Sequence, residues 1–159
     1  MYKITKLNRK HIDELVQIDY ESEHENDRKN NTTKAEMKKE AIRRFGKGQE
    51  MFFGYTENKE LIGYVTLIPF FPGYKHCEVY WLAVRKKNQG KGIGRTLMHF
   101  IENYAKKKGF RKVFAYTGKN MKKTRKFYEK IGYKFVNEFP GYYGYKTGNT
   151  TAVLYCKRI

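Results

Sequence analysis

The segment that most constrains this chain is Gln89-Gly90-Lys91-Gly92-Ile93-Gly94. It lies between a strand-like run, Val79 to Val84, and a helix-like run, Arg95 to Lys108. Glycine tolerates φ > 0 and lets the backbone come close to a ligand. A helix starting directly after such a turn presents unpaired N–H groups and the positive end of its dipole. The two together make a cradle for phosphate, and Lys86, Lys87, Lys91 and Arg95 surround it with positive charge. The spacing narrows the ligand. A dinucleotide fold places G-x-G-x-x-G close behind its strand, with an acidic residue about 20 positions on. Here the glycines run G-x-G-x-G, and five residues separate Val84 from Gly90. The P-loop pattern G-x-x-x-x-G-K-[ST] is absent. Taken alone, the hexamer also fits a plain strand-to-helix turn.

The rest of the chain supplies context. Tyr2 to Leu7 alternates as a strand, and Asn8 caps a helix with Ile12, Leu15, Val16 and Ile18 near helical spacing. Glu21 to Asn31 is polar and reads as a loop. Thr32 or Thr33 caps a second helix through Phe45, ended by Gly46 and Gly48. Met51 to Thr56 and Leu61 to Phe70 read as strands joined by a hairpin turn at Glu57-Asn58-Lys59-Glu60. Strands follow at Cys77 to Val84, Lys112 to Thr117, Tyr133 to Phe139 and Thr151 to Lys157. Helices follow the glycine turn and cover Lys122 to Lys130, with Gly109 and Gly132 as stops. The order β-α-α-β-β-β-α-β-α-β-β mixes hairpins with helical crossovers. That predicts an α/β chain with a mixed sheet and helices on both faces, as one domain over residues 1–159.

The formal charge of +18 attracts anions at long range, either nucleic acid or a phosphate-bearing coenzyme. No nucleic-acid motif is present, so nucleic acid is not expected as a partner. The charge is uneven. Seven of the sixteen acids fall between Asp13 and Asp27, with no Lys or Arg among them. That stretch is either a solvated face or a negative patch that receives a cationic substrate. Cys77 and Cys156 sit in apolar strand-like runs, where a thiol acts as a small hydrophobe. No apolar run approaches the roughly 20 residues that span a bilayer, and no signal peptide is visible. A reducing, cytoplasmic setting without membrane contact is expected. No metal site is expected.

Three pieces then fall into one pattern. Gln89 to Gly94 reads Q-x-x-G-x-G, which resembles the acyl-coenzyme-A pyrophosphate loop of the GNAT superfamily of acetyl-CoA-dependent N-acetyltransferases. Phe127-Tyr128-Glu129-Lys130-Ile131-Gly132-Tyr133 resembles the F-Y-E-K-x-G-[FY] motif that ends the superfamily's fourth helix. Trp81-Leu82-Ala83-Val84 looks like its central strand. The pieces occur in the family's order, over residues 50 to 140. The resemblance implies a mixed, mostly antiparallel seven-stranded sheet with about four helices, in which strands four and five splay apart around acetyl-CoA.

The resemblance also implies roles. Gln89, Gly90, Lys91, Gly92, Ile93, Gly94 and Arg95 would hold the pyrophosphate. The Leu82 N–H would face the thioester carbonyl, and the Val84 backbone would pair with the pantetheine arm. Tyr128 would stand by the coenzyme sulfur as general acid. The family's asparagine stands seven residues before this tyrosine. That position is Met121 here, and Asn120, one residue earlier, is the candidate contact. Glu78 lies six residues before Val84, where many members carry a general base. Strict alternation would put Glu78, Tyr80, Leu82 and Val84 on one face, and Val79, Trp81 and Ala83 on the other. A carboxylate on an otherwise apolar strand is unusual, and burial would raise its pKa.

The acceptor is read from Pro140-Gly141-Tyr142-Tyr143 and the strand after it, which look like the end of protein N-terminal α-acetyltransferases of the ribosomal-protein type. Tyr142, Tyr143, Glu21 and Glu23 are the candidate acceptor residues. The expected acceptor is a protein or peptide α-amine, or a lysine. Polyamines, aminoglycoside-like amines and a non-catalytic acyl-CoA-binding role are the alternatives. A monomer or homodimer is expected.

Overall fold

The structure, a computed structural model, describes residues 1–22, 32–143 and 151–159. In chain order the elements are β1 (Tyr2–Lys6), a 3-10 turn (Arg9–His11), α1 (Ile12–Ser22), α2 (Lys34–Lys47), β2 (Met51–Glu57), β3 (Glu60–Pro69) and β4 (His76–Val84). A second 3-10 turn (Lys86–Asn88) leads to α3 (Ile93–Lys107), β5 (Lys112–Gly118), α4 (Lys122–Lys130), β6 (Lys134–Phe139) and β7 (Ala152–Arg158). The strands form one seven-stranded sheet in the order β1-β2-β3-β4-β5-β7-β6. Every neighbouring pair is antiparallel except β4 and β5, which run parallel.

Local chemistry sets the element ends. Asn8 and Thr33 each form a capping box, with His11 and Glu36 respectively returning the bond. The hairpin between β2 and β3 turns on Asn58 and Lys59, both at positive φ (50° and 66°), as a two-residue primed turn requires. α2 runs through Gly46 to Lys47 and stops at Gly48 in the left-handed conformation (φ 65°). Gly48 alone is the stop, because Gly46 is accommodated inside the helix. α1 likewise extends through Glu21 to Ser22, beyond the expected start of the loop.

Helices cover both faces. On one, Leu97, Met98, Ile101 and Ala105 of α3 and Tyr128 of α4 pack on Val65, Leu67, Val79, Val113 and Tyr155 of the sheet. On the other, Leu15 and Ile18 of α1 pack on Phe52, Leu61 and Tyr64, while Ile12 and Val16 meet Ala41 of α2. Each fully buried side chain of this size contributes roughly 1.5–3 kcal/mol. Among the described residues no helix is long and apolar enough to cross a membrane.

Candidate active site

The site begins with a defect in the sheet. β4 and β5 pair over only four positions, His76↔Lys112 to Val79↔Ala115. Beyond Val79 and Ala115 the strands separate, so their facing backbones are left without a ladder. β4 carries a bulge at this fork: Leu67 of β3 pairs with Val79 and Thr66 with Trp81, which leaves Tyr80 without a partner on β3. A bulge bends its strand and shifts the alternation by one residue.

That shift corrects the expected register. Leu82 and Val84 pack on the same core as Cys77 and Val79, beneath α3 and α4. Ala83 packs on the α1 face. Glu78 alternates with Cys77 and Val79, so it lies on the face opposite Leu82 and Val84. Strict alternation over the whole strand placed them together.

Glu78 is buried, with 4% of its surface exposed. No described residue gives it a hydrogen bond or ion pair. Burial first, and the nearby Glu50 carboxylate second, push its carboxyl up to about 7. Glu50 is itself held by Arg44, whose Nε lies 2.9 Å from Oε2 and whose Nη2 meets Oε1. Burial opposes the Arg44 charge, but the Glu50 pair outweighs it and holds the guanidinium above its ordinary value. Arg44 also lies over the rings of Phe52, Tyr80 and Trp81, at 5.2, 5.2 and 5.6 Å. Sequence reasoning passed over Arg44 and Glu50. A signal existed for Arg44, which shares a helix face with Ala41 and Phe45, so a cation interrupts an apolar stripe.

Tyr128 reaches the fork from the other side. It belongs to the core under α3 and α4, stacks on Tyr155 at 5.9 Å and touches Tyr133 at 5.5 Å. Its hydroxyl has no hydrogen-bond partner among the described residues. Burial, then the charge of Glu78, raise its pKa above the phenol range. The splayed strands thus let a carboxyl from one face and a phenol from the other meet across a gap. Tyr116 lies two residues beyond Phe114, the cross-strand partner of Glu78, and so shares the Glu78 face. Tyr142 stacks on Tyr116 at 5.1 Å, and Tyr143 stands edge-on to Tyr142 at 5.0 Å. Burial first, and then the Glu78 charge among smaller causes, raise the pKa of Tyr116, Tyr142 and Tyr143. The two loop tyrosines therefore stand within reach of the Glu78 charge.

The glycine turn leads straight into α3. Gly90 and Gly92 both take positive φ (79° and 83°), and a Cβ at either would meet open space. Gly92 is the N-cap, and no side chain caps the helix. The first N–H groups of α3, from Ile93, Gly94 and Arg95, have no partner among the described residues. Gln89 is exposed, and its Nε2 donates to the Val84 carbonyl at 3.0 Å, which ties the turn to the end of β4. Lys87 is occupied by Glu60 at 3.2 Å. Lys86, Lys91 and Arg95 make no ion pair among the described residues. Asn120 is exposed in the turn before α4 and makes no side-chain hydrogen bond there.

The acidic stretch is used differently from the expectation. Glu21 accepts from Gln17 at 2.8 Å and forms an ion pair with Arg85 at 2.7 Å. Asp13 pairs with Lys38 at 2.6 Å. Asp19 takes the Tyr64 hydroxyl at 2.7 and 2.8 Å and the Trp81 Nε1–H at 2.9 Å. Glu21 is thus a clamp between α1 and the end of β4, because its charge is already matched. Glu23 lies outside the described residues. Among the described residues, no group of three or more His, Cys, Asp or Glu could hold a metal. The Cys77 thiol is buried and pushed up to about 12.

The sequence pattern of the Acetyltransferase (GNAT) family matches residues 11–133. No curated protein matches the sequence. Many solved structures share the fold. A Desulfovibrio desulfuricans protein assigned as a GNAT-family acetyltransferase is 21% identical, with both chains 99% covered and a TM-score of 0.79. The PaiA N-acetyltransferase of Thermoplasma acidophilum, solved with coenzyme A, is 22% identical over 100% of this chain and 99% of its own, TM-score 0.75. The ribosomal-protein-S18-alanine N-acetyltransferase of Escherichia coli is 16% identical over 100% of this chain and 94% of its own, TM-score 0.75.

Proposed function

The chain belongs to the acetyltransferase (GNAT) family, and from that premise we propose that it moves the acetyl group of acetyl-CoA to the α-amine of a protein or peptide. Transfer is by direct attack with both substrates bound, within a single domain of residues 1–159. The unpartnered N–H groups of Ile93, Gly94 and Arg95, with Lys86, Lys91 and Arg95, fit a pyrophosphate. Acetyl-CoA supplies the activated acyl group. Glu78 accepts the amine proton, directly or through one water. The Leu82 N–H is the proposed donor to the carbonyl oxygen that gains charge during attack. Tyr128 donates to the departing sulfur.

One observation carries the acceptor assignment: a buried carboxyl pushed up to about 7. It is close in basicity to an α-amine, whose ordinary pKa is about 7.7–8.0, and far from a lysine amine near 10.4. A proton moves more easily between matched groups. The fold shared with the S18-alanine enzyme is in keeping with this reading. Burial raises the pKa of both thiols, Cys77 and Cys156, which disfavours a thiolate nucleophile and supports direct transfer. Two free cysteines suit a reducing compartment.

The test is an acceptor screen read as free coenzyme thiol. Peptides with a free N-terminus are expected to react, and the same peptides blocked at the N-terminus but carrying lysine are not. Reaction with blocked peptides would move the assignment to lysine. Reaction with polyamines or aminoglycosides alone would move it to small amines. Thiol release with no amine would remove catalysis of transfer.

A further inference from the structure

At the end of the sheet where β4 and β5 begin, three distant segments meet. They are the lead into β4 (Tyr74, Lys75, His76), the start of β5 (Arg111, Lys112) and the end of β7 (Arg158). The Arg111 N–H donates to the Lys75 carbonyl at 2.8 Å, and the Ile159 N–H donates to the Arg111 carbonyl at 3.1 Å. These bonds fix a recess of about 560 Å³ lined by the four cations, Tyr74, His76 and Ile159, with no acidic side chain in its wall. None of Lys75, Arg111, Lys112 and Arg158 makes an ion pair among the described residues. α3 ends with Lys106 and Lys107, and Lys108 follows, only three residues before Arg111. Tyr74 stands at the rim with 78% of its surface exposed, and the Lys75 Nζ lies 5.4 Å from its ring centre. Phe70 is 64% exposed and meets Phe110 edge-on at 5.2 Å.

Cations gathered without counter-ions repel one another, so the cluster favours any anion that enters it. Arginine in such a place matches phosphate oxygens with two parallel N–H groups. We infer that this recess binds the phosphate backbone of a single-stranded nucleic acid, with Tyr74 stacking on a base. An acidic peptide would engage the cations and leave the exposed rings unused. A flat bilayer would meet the rings and the exposed Arg111 and Arg158 but not the half-buried Lys75 and Lys112. A flexible strand satisfies both, by threading phosphates inward and laying bases on the rim. The sequence carries no nucleic-acid motif because the recess is assembled from residues near 75, 111 and 158. It lies at the opposite end of β4 from the glycine turn, so it is separate from the coenzyme cradle.

Fluorescence anisotropy with a short labelled single-stranded RNA tests this across a salt series. Three or four neutralised phosphates should give a slope of log K against log salt of roughly −2 to −3, at about −0.7 per phosphate. Lys112→Glu with Arg158→Glu should weaken binding by about tenfold or more and flatten that slope. Lys39→Glu with Lys47→Glu on α2 removes the same net charge far from the recess and should change affinity little. Tyr74→Ala should weaken binding by about fivefold or more and leave the slope unchanged. Equal loss in the two double variants would reduce the recess to the general charge of the protein. No loss in Tyr74→Ala, or recess-dependent binding of polyglutamate or phosphatidylserine vesicles as tight as that of RNA, would overturn the nucleic-acid assignment. Urea unfolding followed by circular dichroism shows that each variant is folded. If the double reversal does not fold, Lys112→Ala and Arg158→Ala singly replace it. Acetyl transfer is read separately, so failure of either proposal leaves the other standing.

Discussion

Replacing Glu78 by Gln perturbs stability and chemistry through one group. In the folded chain the carboxyl is pushed up from 4.5 to about 7. A difference of that size corresponds to about 3 kcal/mol between the two states of protonation. The sign follows from which state holds the proton. Below about pH 4.5 both folded and unfolded chains keep it, and the raised pKa has no effect on stability. Between 4.5 and about 7 the unfolded chain releases the proton while the folded chain retains it, so wild-type stability falls as pH rises. Above about 7 the loss is complete. Glu78→Gln cannot ionise, so its stability relative to wild type should climb by about 3 kcal/mol between pH 4 and pH 8, whatever constant offset the amide adds. Urea unfolding at a series of pH values measures this difference directly, and the titrations of all other groups cancel. Turnover should move the opposite way at neutral pH, falling by roughly 10²–10⁴. The acid limb of kcat/KM, centred near 7 in wild type, should vanish. A stability difference that stays flat with pH would mean that the carboxyl is not desolvated. An acid limb that survives in the variant would place the base elsewhere.

Tyr128→Phe keeps the stacked ring and deletes the donor, so coenzyme affinity measured by calorimetry should hold while kcat drops by about 10²; a normal kcat would leave Tyr128 as packing alone. Gly92→Val forces a branched residue to φ 83° and should lower stability by about 1–3 kcal/mol, while weakening coenzyme A binding by about tenfold through loss of close N–H contacts. Unchanged affinity in the folded variant would move the cradle away from this turn. Arg44→Met strands the Glu50 carboxylate and should cost about 3–5 kcal/mol on urea unfolding. Adding Glu50→Leu should recover most of it and shift the acid limb of kcat/KM to lower pH, since Glu50 helps to raise Glu78. No recovery in the double variant would mean that Arg44 is held by its aromatic neighbours and not by the ion pair.

Local signals were legible where the cause is local. Asn8 and Thr33 cap their helices because a side-chain acceptor two or three residues ahead of a backbone N–H needs nothing else. The glycine turn, the hairpin at Asn58-Lys59 and the α4 boundaries belong to the same class. The bulge at Tyr80 was not legible, because nothing in Glu78-Val79-Tyr80-Trp81 breaks an alternating pattern; the extra residue is defined only against Thr66 and Leu67 of the neighbouring strand. Its consequence is large, since it places Glu78 and Leu82 on opposite faces. Glu21 misled for a related reason. A stretch of acids with no nearby base in sequence looks unpaired, yet Lys38 and Arg85 reach Asp13 and Glu21 from other elements.

The pairing of charges explains how a chain of net charge +18 can still receive a cation. The carboxylate side chains of Glu50, Glu78 and Glu102 are all buried. Glu50 is matched by Arg44, and Glu102 by Lys157 at 2.8 Å. Glu78 alone of the three has no counter-ion, although lysines and arginines are twice as numerous as acids in the sequence. The rings of Tyr116, Tyr142 and Tyr143 near it carry no positive charge of their own, and their π faces favour a cation. On the proposed reading, an incoming ammonium meets the one buried carboxyl that lacks a partner among the described residues, at a pKa where it can pair as an anion and then take the proton. The excess positive charge lies elsewhere, at the glycine turn and at the far end of β4, where phosphates and not amines are the complementary groups. Neutralising Glu78 with a positive neighbour should therefore be as damaging as deleting it. Tyr116→Lys is expected to lower the Glu78 pKa, moving the acid limb of kcat/KM below 7, and to raise KM for the amine while leaving KM for acetyl-CoA near its wild-type value. An unchanged amine KM in that variant would show that the acceptor does not enter along the Tyr116 wall.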